Sequence, residues 1–281
     1  MDFGIFAKTF VRPSLGQVLD AVVEGGLRHI QFNLSSVGLP TLPAELQDIQ
    51  CTAIREELRK RGLAMTAISG TFNIIHPDPH ARAQGLERLR VLARASKALG
   101  TDLITVSTGT CNPEDRWRGH PENGSPAAWR EMLASMEQIA RAGEDCGVRF
   151  AFEPEQANVV NSARKARELL DTLRSGYVGV LIDPANLLNR ENMQISRDVL
   201  TEAFGLVGGE IILAHAKDIS PTGRSGSLAL GKGVLDFAHY FRLLKSVGYE
   251  LPVIAHGFSE AEVADSFNYL RRMDAAVEGR R

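Results

Sequence analysis

The segment VRFAFEPEQANVVNSARKARELLDTLRSGYVGVLID (148–183) contains the unit that the rest of the chain repeats. Two short runs rich in β-branched and aromatic residues, VRFAFE (148–153) and YVGVLID (177–183), flank a helical stretch that Gly176 closes just before the second run. Short apolar runs of this composition are strands, and a residue tolerant of left-handed geometry commonly ends a helix. Toward the N-terminus the same runs recur as FGIF (3–6), RHIQFN (28–33), LAMTAI (63–68) and DLITVS (102–107). Toward the C-terminus they recur as EIILAH (210–215) and PVIAH (252–256). Between them lie apolar residues spaced by three and four, such as Leu15, Val18, Leu19 and Val22, then Phe237, Phe241 and Leu244, then Val263, Phe267 and Leu270. Each set predicts a helix that lays one stripe on a sheet. Gly25, Gly26, Gly62, Gly100, Gly147 and Gly248 repeat the punctuation. Eight strands, each followed by a helix and with no linker between, predict an α/β protein: a single (β/α)8 TIM barrel occupying 1–281 as one domain, near the usual size of roughly 250 residues. A doubly wound open sheet is the alternative, but it usually has fewer strands, and no GxGxxG follows the first strand.

Composition narrows the function. Of 281 residues, 44% are hydrophobic, enough for a sizeable core, and 32 Lys plus Arg against 34 Asp plus Glu leave a net charge of -2. No overall basic field exists to hold a phosphate backbone, which argues against nucleic acid as a partner. Cys51, Cys111 and Cys146 are scattered without CxxC spacing, a pattern that fits neither a disulfide framework nor a structural zinc site and makes a reducing cytoplasm the expected location. Apolar runs such as VGVLI and EIILAHA fall far short of the roughly 20 residues a membrane helix needs, and no basic segment followed by an apolar stretch opens the chain, so neither membrane nor export is expected.

In a (β/α)8 barrel the chemistry sits at the carboxyl ends of the strands. Those ends read Glu153, Asp183, His215 and His256 on strands five to eight, spaced by 30, 32 and 41 residues, one βα unit per step. Adjacent strands of a closed barrel bring such donors to a common point, and one Glu, one Asp and two His suit Mn, Co, Zn or Fe better than a calcium cage. The competing reading is that each polar residue merely caps its strand. Alternation along RFAFEPE places Glu155 on the face of Glu153, and along AHAKD it places Lys217 on the face of His215, so both stand beyond the ligands toward a substrate. A salt bridge at the rim is their plainer reading.

Two βα loops are long. SGTFNIIHPDPHAR carries Asn73, His76 and Asp78, and STGTCNPEDRWRGHPENGSP carries Arg116, Trp117, Arg118, His120 and Asn123, against a usual length of about 2–6 residues. Trp117 between two arginines offers an apolar plate for the face of a ligand beside cations for a hydroxyl, carboxylate or phosphate. Arg224 is a candidate substrate clamp, and the glycines of GKGVLD (231–236) let backbone N–H groups approach an anion or hydroxyl. His29, His80 and His239 fall at a strand start or within helices and read as packing or surface residues. No GxSxG, Walker or Ser/His/Asp pattern is present.

FEPE on strand five, DPAN on six, HAKD on seven, the GKGVLDF that follows, and GYELPVIAHG at strand eight together resemble the xylose isomerase-like sugar phosphate isomerase and epimerase superfamily over nearly the whole chain, as a divergent member. The resemblance implies a divalent metal held by Glu153, Asp183 and His215, with Mn first and Co, Zn, Mg or Fe as alternatives. It also implies a sugar or cyclitol substrate, and a homo-oligomer, since members often form dimers or tetramers. Two positions depart from the pattern. The strand-six DxxH has Asn186 in place of its histidine, and the strand-eight glutamate position holds His256, which puts a two-glutamate epimerisation in doubt but leaves a group able to bind metal or move a proton. The endonuclease IV branch needs more strand-end histidines than this chain has.

The reading that follows is a metal-dependent isomerase or epimerase acting on a ketose, cyclitol or related polyhydroxy carbonyl compound through an enediolate. Glu153 ligates and removes the proton, Asp183 and His215 fix the ion, His256 completes the shell or returns the proton, and Lys217 steadies the enediolate oxygen. His76, Trp117, Arg118, His120, Glu155, Asn186 and Arg224 are the candidate substrate contacts. The alternatives are an inosose dehydratase-like lyase, in which His256 or His120 protonates a leaving hydroxyl, and a metal-free sugar-binding barrel without catalysis.

Overall fold

A computed structural model describes residues 1–226 and 228–279; Ser227 and the last two arginines of the expected 1–281 span lie outside the described residues. Eight parallel strands form a closed barrel in sequence order: β1 (Phe3–Phe6), β2 (His29–Phe32), β3 (Ala64–Ser69), β4 (Leu103–Ser107), β5 (Arg149–Glu153), β6 (Val178–Ile182), β7 (Ile211–Ala216) and β8 (Val253–Ala255). Closure is made where β1 pairs with β8, Phe3 opposite Val253 and Ile5 opposite Ala255. The helices are α1 (Leu15–Glu24), α2 (Asp48–Lys60), α3 (Pro79–Leu99), α4 (Pro126–Cys146), α5 (Ala163–Leu173), the single turn α6 (Pro184–Leu187), α7 (Ser196–Val207), α8 (Phe237–Ser246) and α9 (Val263–Glu278). Each strand expected from the sequence is present, with ends displaced by no more than about two residues, the usual uncertainty of such boundaries.

Alternation along each strand divides the apolar residues into two sets. One set, including Ile5, Phe32, Ile68, Phe150, Phe152 and Ile182, packs outward against helix residues such as Leu19, Leu92, Met136, Leu169, Phe204 and Phe267. Each fully buried side chain of this size contributes about 1.5–3 kcal/mol relative to exposure. The other set, Ala67, Leu103, Ala151, Leu181, Leu213 and Ile254, forms a separate small cluster inside the barrel. Two residues further along the same strands come Ser69, Thr105, Glu153, Asp183, His215 and His256. The interior is therefore an apolar plug beneath a polar layer at the carboxyl ends, where TIM barrels place their chemistry.

The βα loops end in side-chain caps: Asp78, Ser125, Ser162 and Asp236 accept a hydrogen bond from a backbone N–H in the first turn of α3, α4, α5 and α8. At the opposite ends, Gly100 and Gly147 take the left-handed conformation. At α5 the left-handed residue is Arg174, φ 47°, rather than the expected Gly176 two residues later. A non-glycine in this region is uncommon, and Arg174 secures it by donating from Nε to the carbonyl of Asp171, 3.1 Å.

Candidate active site

Asp183 is the hub of the polar layer. It follows β6 directly as the cap of α6, its Oδ1 accepting from Ala185 N, 3.0 Å. Its Oδ2 lies 3.0 Å from Lys217 Nζ and 3.2 Å from His256 Nε2, and the side chain is fully buried. Burial alone would raise its pKa, but the Lys217 ammonium and the His256 hydrogen bond outweigh that and hold it well below the usual carboxylate range. Reciprocally, burial pulls the Lys217 pKa down while Asp183 and Glu153 push it up, and the net shift is upward. The two groups form a buried ion pair.

Asn186 links this pair to β5. Its Oδ1 accepts from Lys217 Nζ, 2.5 Å, and its Nδ2 donates to Glu153 Oε1, 2.6 Å. The residue that replaces the histidine of DxxH thus uses both ends of its amide to align a cation and a carboxyl. Burial first, and the Asp183 charge second, push the Glu153 pKa up to about 8. Burial likewise raises Glu155, whose Oε2 accepts from Asn158 Nδ2, 3.3 Å.

On the far side of the barrel lies a residue that strand-end reading missed. Gln31, on β2 and 1% exposed, donates from Nε2 to Ser69 Oγ, 3.1 Å, and Thr105 Oγ1, 3.3 Å. This turns its Oε1 toward His215 Nε2, 2.7 Å away. An amide oxygen only accepts, so His215 carries its proton on Nε2 and leaves an imidazole lone pair on Nδ1. That Nδ1 is buried and has no hydrogen-bond partner among the described residues. Burial, then the neighbouring His256, keep the His215 ring neutral with a pKa well below the ordinary histidine value, and burial lowers that of His256 too.

Asp183, His215 and His256 each present one ligand atom, and these atoms all lie within 4.8 Å of one another. One carboxylate oxygen and two imidazole nitrogens suit Zn, Mn, Co or Fe, and three protein donors leave a coordination position open. The unpartnered lone pair on His215 Nδ1, with Gln31 fixing the tautomer from behind, is the orientation that metal-binding histidines adopt. The residues present therefore fit a divalent cation. Glu153, expected beside them, is not one of the converging three; it faces Asn186. Replacing Gln31 with Leu is expected to weaken Zn or Mn binding about 10–100-fold, because the His215 ring loses its orienting acceptor. A chelator-competition titration measures this, and an unchanged affinity would contradict the tautomer argument.

Glu153, Glu155, Asn186, His215, Lys217, His256 and Trp117 line one cavity of about 170 Å³ at the carboxyl ends of the strands. It is small beside the about 300–1,000 Å³ of drug-sized pockets and suits a compact ligand. Arg116, Lys8 and Gln31 also line it. The other loop candidates lie elsewhere. His76 lines an adjoining cavity and accepts from Asp78 N through Nδ1, 3.1 Å. His120 accepts from Glu122 N, 3.2 Å, and braces its own turn. Among the described residues, Arg118, His120 and Arg224 do not line the 170 Å³ cavity.

The glycine loop also has a different role from the one its sequence suggested. The N–H groups of Gly231 and Gly233 point at Asp218 Oδ2, 2.8 and 3.0 Å, and those of Ile219 and Leu235 at Oδ1, 2.9 and 3.3 Å. A Cβ on Gly233 would sit 2.2 Å from Asp218 Oδ1, so the close approach requires glycine. The last residue of HAKD binds the loop, and those donors are spent on protein.

A closed parallel barrel with its polar donors gathered at the carboxyl ends of the strands defines a TIM barrel with a candidate site in the position that fold uses. The chain belongs to the xylose isomerase-like TIM barrel family, whose family model matches residues 19–273. It is 28% identical over 189 residues to the L-ribulose-5-phosphate 3-epimerase UlaE of Shigella flexneri serotype 5b, a match covering 67% of this chain and 61% of that protein, less than two thirds of its length. It is 25% identical over 244 residues to a ketose 3-epimerase of Arthrobacter globiformis, covering 84% of this chain and 77% of that one. The apo crystal structure of the 3-keto-D-glucoside 4-epimerase YcjR from E. coli aligns with a TM-score of 0.76 at 18% identity, over 97% of this chain and 99% of that one, a likeness of fold. Among the described residues, no helix is long and apolar enough to cross a membrane.

Proposed function

We propose that the protein is a divalent-metal-dependent isomerase or epimerase of a ketose, cyclitol or related polyhydroxy carbonyl compound, acting by abstraction of a proton next to the carbonyl. The observation that supports this most is the hydrogen-bonded chain from Glu153 through Asn186, Lys217 and Asp183 to His256. It sets a carboxyl, a cation and the imidazole donors around one cavity. The epimerase relatives support the same class of chemistry.

A divalent cation at Asp183, His215 and His256, with Mn the first choice and Co, Zn, Mg or Fe as alternatives, would supply Lewis-acid polarisation of the substrate oxygen. The chain itself does the rest. Glu153 takes the proton: a carboxyl raised to about 8 has the basicity that proton transfer near neutral pH requires. Asn186 occupies its Oε1, leaving Oε2 for the substrate carbon. Lys217, a buried cation on the same cavity, stabilises negative charge developing on the substrate oxygen. His256 has one of two roles: it completes the donor set for the cation, or, not ligating, it takes up a proton as an imidazolium beside Asp183 and returns that proton to carbon. Trp117 and Glu155 meet the sugar face and its hydroxyls.

The lyase alternative now rests on His256, because His120 is outside the cavity lining. Incubation with a panel of ketoses and inososes in deuterated water with Mn separates the readings by NMR. The expected result is one solvent deuteron at the carbon next to the carbonyl, with an isomeric product. Loss of water would transfer the assignment to the lyase reading. Thermal stabilisation by a sugar, equal with and without metal and with no exchange, would establish the binding-barrel reading instead.

A further inference from the structure

The strand that presents His215 does not follow a regular ladder. β7 pairs with β6 as Val180 opposite Ile211, then Leu181 opposite Leu213, which leaves Ile212 as one extra residue, a β-bulge. An offset of one residue exchanges the two faces of a strand. Here it brings Leu213, and two residues later His215, into phase with Leu181 and Asp183 inside the barrel. Gly179 on β6 makes room for the bulge: a Cβ there would stand 2.9 Å from the Ile212 side chain and 2.9 Å from the Glu210 carbonyl.

Two phenols hold the backbone just past the bulge. Tyr249, in the GYELP stretch before β8, accepts from Ala214 N, 2.9 Å, and donates to the Pro252 carbonyl, 3.1 Å. Tyr240, on α8 and fully buried, donates to the His215 carbonyl, 2.9 Å, and its oxygen is 3.4 Å from the Ile182 carbonyl. Ile182 immediately precedes Asp183, so the Tyr240 hydroxyl stands between the strand ends that carry two of the three converging donors. The helix that bears Tyr240 is itself referred back to β7. Asp218, three residues after His215, takes the N–H groups of Gly231, Gly233 and Leu235, and Asp236 then caps α8. The chain from 215 to 240 is thus a long loop fastened beside His215 at both ends.

We propose that Tyr240 and Tyr249 are positioning residues for His215: by fixing residues 214 and 215 after the bulge, they set where its imidazole stands relative to Gln31 and Asp183, and with it the geometry offered to a divalent cation. This rests on the reading of Asp183, His215 and His256 as the cation site, but the place of the ring is measurable without a cation. The rival account is that the two hydroxyls only satisfy buried backbone groups, as buried hydroxyls generally do.

The test uses Tyr240→Phe and Tyr249→Phe, each keeping the ring and deleting the hydroxyl. Ser96→Ala is the control: it deletes a buried hydroxyl that donates to the Thr101 carbonyl, 2.7 Å, at the amino end of β4. In metal-free, 15N-labelled protein the His215 Nε2–H signal, whose proton is held by Gln31, is followed by NMR. In each tyrosine variant it is expected to shift and to exchange with solvent about 10-fold faster or more, and in Ser96→Ala to stay in place, although all three proteins melt a few degrees lower. Chelator competition with Zn and Mn should show affinity reduced about 10-fold by each tyrosine variant and unchanged by Ser96→Ala. The visible bands of the Co-loaded protein, which report ligand geometry, should move in the same two variants. An unmoved His215 signal and unchanged affinity in both, with stability lost as in the control, would overturn the proposal. A displaced His215 signal in a protein whose wild type binds no cation would keep the positioning role and remove the cation site.

Discussion

Glu153→Gln is expected to lower kcat by about 10²–10⁴-fold, the usual contribution of a positioned general base, while the metal content of the protein stays unchanged. Glutamine keeps the acceptor for Asn186 Nδ2 and the volume at the end of β5, so what is lost is the ability to take a proton. Full activity in this variant would overturn the base assignment. An independent readout is stability in the presence of chelator. The Glu153 carboxyl is raised from 4.5 to about 8 in the folded protein. Between those values the native state keeps a proton that the unfolded chain releases, so wild-type stability falls as pH rises through the window. Glutamine has no such dependence. The melting temperatures of the two proteins should therefore agree near pH 4, with the variant several degrees above the wild type at pH 8. Parallel curves would show that the carboxyl is not buried in the way described.

Asp183→Ala is expected to have the largest effect on stability. It strands the Lys217 ammonium, 8% exposed, without its closest anion, and removes the acceptor for Ala185 N and His256 Nε2. Removing one partner of a buried ion pair costs about 3–5 kcal/mol, which in a chain of this size lowers the melting temperature by on the order of 10 °C. Asp183→Asn, which keeps the volume and the cap on α6, separates folding from ligation: it should remain folded and still fail to hold metal. Equal stability of Asp183→Ala and wild type would mean that Lys217 finds another partner and that the pair is not the hub.

The strands were legible because a barrel strand is covered on both faces and reads as a near-continuous apolar run, closed off by glycine at most helix ends. Glu153, Asp183, His215 and His256 stood out against that background. Gln31 did not: a neutral amide inside RHIQFN carries no charge signal, and its partner His215 is 184 residues away, so only barrel closure reveals the pair. Lys8 was hidden for a similar reason, lying on a short turn past the end of β1 where strand alternation no longer applies. The loop histidines carry a local role that their sequence does not display. His76 and His120 each accept from the backbone N–H two residues ahead, a local bond that makes a turn and is invisible in composition. Asp218 shows how a motif can be found and its role still be mistaken. The spacing of HAKD and GKG was plain, but that the aspartate consumes the glycine N–H groups is a matter of three-dimensional approach.

These particulars also indicate where the chain departs from the pattern it resembles. Asn186 replaces a titrating ring with an amide that joins Glu153 to Lys217, and His256 takes a strand-eight position from which it reaches Asp183. His256 thus stands where the resembled pattern has its second glutamate, which is why the proposed reading considers an imidazole for proton return.

Elemental analysis of the protein purified without chelator and then incubated with Mn, alongside His215→Ala and Asp183→Asn, tests the metal-dependent site most directly. About one Mn, Co, Zn or Fe per chain in the wild type, lost in both variants, is the expected result. No stoichiometric metal in the wild type, or metal retained in both variants, would contradict it.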